Sequence, residues 1–278
     1  MSINSVVESA GIEFECGINN RKYRNVEKFF DKWHLKDRLM SGRDPSVAVY
    51  EPGREIQDRD WRASAEIAFW SDKKIDLIHF LQYMGKAGAR TNDTCGMHVH
   101  VKFKDMARGV AVFASCAVRH RFDEMYVAYA NTIPEYTRLF IRRMTTHYSD
   151  ATCSQSIIKQ QLKANTHYDQ SRYHQVNLAA LYRTGTVEFR ILPGMEWPLN
   201  KQNFLWLMST VEKLYKQSYN KKAILEHYGA LLYSIQPGGI GRLPSWIPCD
   251  EKIKKDYVNA GRQLRTSVRS TEFLDVLS

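Results

Sequence analysis

The chain has 278 residues, 44% hydrophobic and 25% charged, which suits one large or two small globular domains and excludes a disordered or fibrous protein. Its formal net charge of +10 points to an anionic partner, such as nucleotide phosphates, a carboxylate substrate or a nucleic acid, although charge alone equally fits an inert basic surface. No basic, apolar leader opens MSINSVVESAGIEF and no run of ~18 apolar residues occurs, so neither a secretory signal nor a membrane span is expected.

Residues 10–19 (AGIEFECGIN) read as a strand between glycines. Val26, Phe29, Phe30 and Trp33 recur at helical spacing and predict a helix over 24–41. Turn chemistry in SGRDPS and EPGRE brackets a short strand, VAVY (47–50). ASAEIAFW (63–70) reads as a strand, Asp72 as the cap of the helix IDLIHFLQYMGK, and 96–103 as a further strand. The pattern over 105–145 is helical, and RHRFDE within it reads as a solvated face. A polar stretch over 146–170 holds a short helix at SIIKQQLKA. HQVNLAAL (174–181) reads as a strand, 182–185 as a turn, TVEFRIL (186–192) as a strand and 200–219 as a helix. The tail carries a helical piece near AILEHYGALLY, the loop QPGGIGRLPSW and a basic helix from Asp250. Strands and helices mix without βαβ alternation, so the expected class is α+β.

Four of these strands share one pattern. Residues i and i+2 of a strand point to one face, about 7 Å apart. In TCGMHVHV this puts His98 and His100 together, against Val99, Val101 and Phe103. GIEFE does the same with Glu13 and Glu15, ASAEIAF with Glu66, and TVEFRIL with Glu188 and Arg190. Singly each is ordinary: a wet sheet face, a surface histidine pair, an ion pair. In one sheet they would converge into a wall of Glu13, Glu15, Glu66, His98, His100, Glu188 and Arg190. Clustered carboxylates repel unless cations neutralise them. Divalent ions are the natural counterions, with oxygen ligands for Mg²⁺ and imidazole better tolerated by Mn²⁺.

The segments CGMHVHV and TVEFR resemble the histidine and terminal E-x-R motifs of the glutamine synthetase and glutamate–cysteine ligase fold. GIEFE, AEI, TCGMHVHV, RYHQVN and TVEFR stand in the order seen in the amidoligases of that superfamily, over roughly residues 10–195. The chain departs from the family before Glu66, where an aspartate, a glycine and a serine are usual and this sequence reads DRDWRASAE, with Asp60 in the aspartate's neighbourhood. The resemblance implies an ATP-dependent carboxylate–amine ligase, and the odd, scattered set of five cysteines suits reduced thiols in the cytoplasm. Its fold would be a curved, mainly antiparallel sheet backed by helices, forming one catalytic domain over 1–278, with a core of about 10–195 and a helical C-terminal part of about 200–278. ATP and two or three Mg²⁺ or Mn²⁺ ions would sit on the concave face. Residue by residue, it implies metal ligands at Glu13, Glu15, Glu66, His98 and Glu188. It puts His100, Arg172 and Asn177 near the nucleotide phosphates. Arg190 would act with Glu188 in catalysis and bind the γ-phosphate or the substrate carboxylate. The partners would be small-molecule or peptide carboxylates and amines, with no membrane and no nucleic acid.

Other readings stay open. A phosphotransferase like the guanidino kinases would leave a phosphorylated product. A metal-dependent hydrolase using His98 and His100 would work without ATP. A nucleic-acid-binding module would account for the charge, but no recognition helix, zinc finger or aromatic RNA-binding signature is present. Five scattered cysteines without C-x-x-C argue against disulfides and a zinc knot. Cys95 reads as a small buried residue rather than a nucleophile. His147, His167 and His174 are expected in loops. QPGGIGR lacks the lysine and setting of a P-loop and reads as a flexible loop.

Overall fold

A computed structural model describes residues 2–47, 49, 61–144, 154–164 and 170–217. Asp60, His147, His167, Cys153, Cys249, Ala48 and Tyr50 of the VAVY segment and the whole tail beyond 217 lie outside the described residues. In chain order the elements are β1 (Val7–Asn19), α1 (Asn20–Lys32), β2 (Leu39–Arg43), β3 (Trp61–Ser71), α2 (Lys74–Lys86), β4 (Gly96–Phe103), α3 (Met106–Phe113), α4 (Cys116–Ala130), α5 (Thr137–Met144), α6 (Gln155–Lys163), β5 (Val176–Asn177), α7 (Ala180–Thr184), β6 (Val187–Pro193) and α8 (Leu199–Gln217). The strands form one six-stranded sheet in the order β2-β3-β1-β4-β6-β5, antiparallel at every pairing. The class is α+β, as expected.

Strand alternation decides which side the helices cover. Ile12, Phe14, Cys16, Ala65, Ile67, Phe69, Val99, Val101, Phe103, Val187, Phe189 and Ile191 are all buried in one core. Helices meet that face with stripes at three- and four-residue spacing: Tyr23, Val26 and Phe30 on α1, Leu77, Phe80, Leu81 and Met84 on α2, and Phe204, Leu207, Met208, Val211 and Leu214 on α8. Phe113 and Phe122 from α3 and α4 pack against Phe189 at ring-centroid distances of 5.0 and 5.6 Å, within the range in which aromatic pairs add stability beyond their buried area. The opposite face of the sheet is left to the polar residues.

Several local expectations needed correction. The first helix begins earlier, where Asn19 accepts hydrogen bonds from the Arg21 and Lys22 amides, and it stops at Lys32. His34 adopts φ 56°, while Leu35 N–H donates to Phe30 O at 2.8 Å and His34 N–H to Asp31 O at 3.0 Å. This is a Schellman ending with a histidine in the left-handed position that glycine usually takes. Residues 39–41, expected in that helix, instead open the edge strand β2, which runs on through 42 and 43 into what was read as a turn. Asp72 does not cap α2: it pairs with Arg38 at 3.2 Å. Ser71 serves that helix start instead, accepting from Lys73 N–H and donating to Asp76. The segment 174–181 is strand only at 176–177, because Asn177 Oδ1 accepts Ala179 N–H at 2.9 Å and turns the chain into α7. RHRFDE is not wholly solvated. Arg119 is buried and donates to Phe113 O at 2.7 Å and to Gln161 Oε1 at 3.0 Å. Gln161 in turn donates to Ser171 O and Val176 O, so a chain of buried polar contacts ties α4 through α6 to β5, the strand that carries Asn177.

Candidate metal centre

Register brings the polar residues of five strands together. Glu15 stands opposite Glu66 across β1 and β3, and Glu13 opposite His98 across β1 and β4. His100 stands opposite Glu188 across β4 and β6, and Glu188 opposite Asn177 across β6 and β5. Between Met97 and Val99 the β4–β6 register shifts, so that Arg190 and Ile191 together face the single residue His98. Such a bulge re-aims a side chain at the cost of one ladder position, and here it lies beside the cluster.

The resulting distances are short. His98 Nδ1 lies 3.5 Å from Glu13 and 3.6 Å from Glu188, and its Nε2 lies 3.3 Å from Glu15. His100 Nε2 lies 3.2 Å from Glu13 and 3.9 Å from Glu188. Glu188 is held from both sides: Arg190 donates to Oε1 at 2.5 Å and Asn177 Nδ2 to Oε2 at 2.5 Å. Glu15 accepts the Gly96 amide N–H. Arg172, Asn177 and Arg183 join Glu13, His100 and Glu188 in lining one open cleft of about 390 Å³, its solvent-facing mouth included. All nine site residues expected from the sequence therefore belong to this face or its adjoining cleft.

Sequence reasoning missed three contributors. Asp44, directly after β2, can share an ion with Glu15 and Glu66; the only signal was a turn motif, SGRDPS. Arg143 of α5 is buried and reaches over to His98 Nε2 at 3.1 Å, a long-range contact with no local signature. Thr186 Oγ1 lies 2.9 Å from His100 Nδ1; it was read only as the first residue of a strand.

Burial and mutual repulsion strain the acidic cluster. Burial, reinforced by the charges of Glu13, Glu15, Asp44 and Glu188, pushes the Glu66 carboxyl up to about 7. Burial also opposes ionisation of Glu13, but His100 and His98 outweigh it and hold that carboxyl well below its usual range. For Glu188 burial is outweighed by Arg190, His100 and His98, and its pKa is lowered. Burial pulls the His100 imidazole down, yet Glu13 and Glu188 lift it to about 9. Cys95 is buried, and burial pushes its thiol up to about 11, so at neutral pH it is not a nucleophile.

The donor set fits divalent cations. His98 Nδ1 and His100 Nε2 are both buried without a hydrogen-bond partner, and both face carboxylates. A buried polar atom left unsatisfied normally costs about 1–3 kcal/mol, and a bound cation would remove that cost. Three groups have ligand atoms within 4.8 Å of one another: Glu13–Glu66–His98, Glu13–His100–Glu188 and Glu15–Asp44–Glu66. Glu13 belongs to two of them and Glu66 to two, as in sites where carboxylates bridge neighbouring ions.

The family model described as "putative amidoligase enzyme" matches residues 65–207, a span that runs from β3 into α8 and covers half of the chain. No curated protein matches the sequence. No described helix is long and apolar enough to cross a membrane.

Proposed function

The chain belongs to this amidoligase family, a class of amide-bond-forming enzymes, and from that premise we propose that it is an ATP-dependent carboxylate–amine ligase working through an acyl phosphate. The observation that carries the reading is the convergence of Glu13, Glu15, Glu66, His98, His100 and Glu188 from four strands, with two buried imidazole nitrogens aimed at carboxylates. Arg190 stands beside them, joined to Glu188.

A carboxylate does not condense with an amine in water at a useful rate. Transfer of the γ-phosphoryl group to the carboxylate oxygen releases ADP and leaves a mixed anhydride. The amine then attacks the carbonyl carbon, inorganic phosphate departs and the amine gives up a proton. The first step is mainly a matter of alignment and charge neutralisation. Glu13, Glu15, Glu66, His98 and Glu188 would hold Mg²⁺ or Mn²⁺, whose positive charge screens the nucleotide phosphates from the anionic acceptor. Arg190 offers a planar, always charged fork suited to a phosphate or a carboxylate, and its hydrogen bond to Glu188 fixes its direction. Arg172, Asn177 and His100 line the adjoining cleft, where the phosphates would lie. Glu13 is partly exposed and belongs both to that cleft and to the cluster around His98.

The test is ADP release with Mg²⁺ or Mn²⁺ against pooled amino acids, polyamines and peptides, with hydroxylamine to trap the acyl phosphate. The reading predicts ADP together with an amide or a hydroxamate. It predicts a loss of about 100-fold or more in Glu188→Gln, the usual scale for one electrostatic stabiliser. ADP with a phosphorylated product and no hydroxamate would favour the phosphotransferase reading instead, and turnover without ATP the hydrolase.

A further inference from the structure

We propose that Thr184 and Thr186 are positioning residues that keep a proton on His100 Nδ1 and so aim its Nε2 lone pair at Glu13 and Glu188, making His100 itself a ligand of a cation held by those three side chains. The proposal rests on reading this face as a cation site and goes beyond it, because a histidine expected only to touch phosphate would meet it through a bound ion.

The argument is one of hydrogen-bond direction. Thr184 Oγ1 donates its single proton to Ala180 O at 2.9 Å, an atom that can only accept. Toward Thr186 Oγ1, 2.6 Å away, Thr184 is therefore the acceptor, and Thr186 spends its own proton there. What Thr186 has left for His100 Nδ1, at 2.9 Å, is a lone pair. Nδ1 must then be the donor, and when a cation displaces the other ring proton it is Nε2 that offers the lone pair. That nitrogen is the one that is buried without a hydrogen-bond partner, 3.2 Å from Glu13 and 3.9 Å from Glu188. Glu13, His100 and Glu188 also form one of the three groups compact enough to share an ion. A metal-ligating imidazole normally donates its other N–H to an oxygen, which fixes the tautomer and the ring orientation. Here a threonine hydroxyl fills that place.

The local backbone is built for the arrangement. Gly185 ends α7 with φ +66°, a conformation that side-chain-bearing residues rarely adopt. This turn brings hydroxyls on either side of the glycine, Thr184 and Thr186, within 3.4 and 2.9 Å of the same imidazole nitrogen.

The test compares the full-length wild type with Thr186→Val, Thr186→Ser and Thr184→Val. Mn²⁺ is titrated without nucleotide by calorimetry and electron paramagnetic resonance, and thermal unfolding serves as the folding control. Thr186→Val should weaken Mn²⁺ binding by about 10–100-fold, the scale found for lost partners of ligating histidines. Thr186→Ser should restore wild-type affinity. Thr184→Val should fall between, since it frees the Thr186 proton to turn toward His100. Independently of any variant, ¹⁵N-histidine spectra of the wild type loaded with Zn²⁺ should show the His100 N–H at Nδ1 and the metal at Nε2. A folded Thr186→Val that binds Mn²⁺ as the wild type does, or a wild-type His100 protonated at Nε2 in the Zn²⁺-loaded protein, would overturn the proposal. Absence of Mn²⁺ binding by the wild type would instead remove the cation-site reading beneath it.

Discussion

Gly96 is the position at which a single methyl group reports on how the site is built. It opens β4, and its amide N–H serves Glu15. A Cβ there would fall on the Arg143 guanidinium, 2.7 Å from Cζ and in still closer contact with Nη2, and 3.0 Å from Glu15 Oε2. Neither neighbour has open space to move into, since Arg143 and Glu15 are both buried. Overpacking of this kind costs about 1–3 kcal/mol. Displacing Arg143 from His98 forfeits a charged hydrogen bond, about 1.5–3 kcal/mol. Alanine recovers about 0.5–1 kcal/mol over glycine in a strand. Gly96→Ala should therefore lower stability by about 2–5 kcal/mol, read as a fall in the urea midpoint at unchanged m-value. The cause is tested by a double-mutant cycle. Arg143→Met is itself destabilising, since it strips Glu15 of a buried cation. In that background the added methyl should cost less than in the wild type by more than 1 kcal/mol. A Gly96→Ala protein as stable as the wild type, or one equally impaired in both backgrounds, would refute the crossing of Arg143 over Gly96.

Two further substitutions test the fold. His34→Gly should raise stability by about 1 kcal/mol in thermal unfolding, because a non-glycine residue in the left-handed position carries about that penalty; a lower melting temperature would contradict the Schellman ending of α1. Asp123 on α4 has its carboxyl pushed up to about 7 by burial, against a small opposing pull from Arg119. The folded state then holds this proton more tightly than the unfolded chain, so the stability it supplies is complete below about pH 4, falls as pH rises toward 7 and is gone above that. Asp123→Asn should leave the melting temperature unchanged near pH 4 and raise it at pH 8; a variant with the wild-type pH profile would refute the shift.

Most of the candidate site was legible because strand alternation is a strict period of two. Once GIEFE, AEI, MHVH and VEFR read as strands, the side of each residue followed, and the buried partners Ile12, Ile67, Val99 and Phe189 confirm the phase. Register was not legible: that Glu15 meets Glu66, and Glu13 meets His98, depends on pairings between segments far apart in the chain. Arg143 escaped notice for the same reason, since RRM on a helix looks solvated until α5 is packed against β6. The end of α1 was misjudged because the stop residue is a histidine where glycine is usual. The strand expected at 174–181 gave way because Asn177 spends its side chain on a turn and on Glu188, competition that a hydrophobic pattern does not reveal.

The most direct measurement is calorimetric titration of the wild type and Glu13→Gln with ATP, with Mn²⁺ present and with it omitted. Glu13 sits in two of the three candidate cation groups. The wild type should bind the nucleotide tightly only with the ion present, and Glu13→Gln should lose at least tenfold in affinity for the pair while its metal-free nucleotide binding stays unchanged. A wild type that shows no affinity for adenine nucleotides with Mn²⁺ or Mg²⁺, or a Glu13→Gln protein that binds them as well, would contradict a cation-assembled nucleotide site on this face of the sheet.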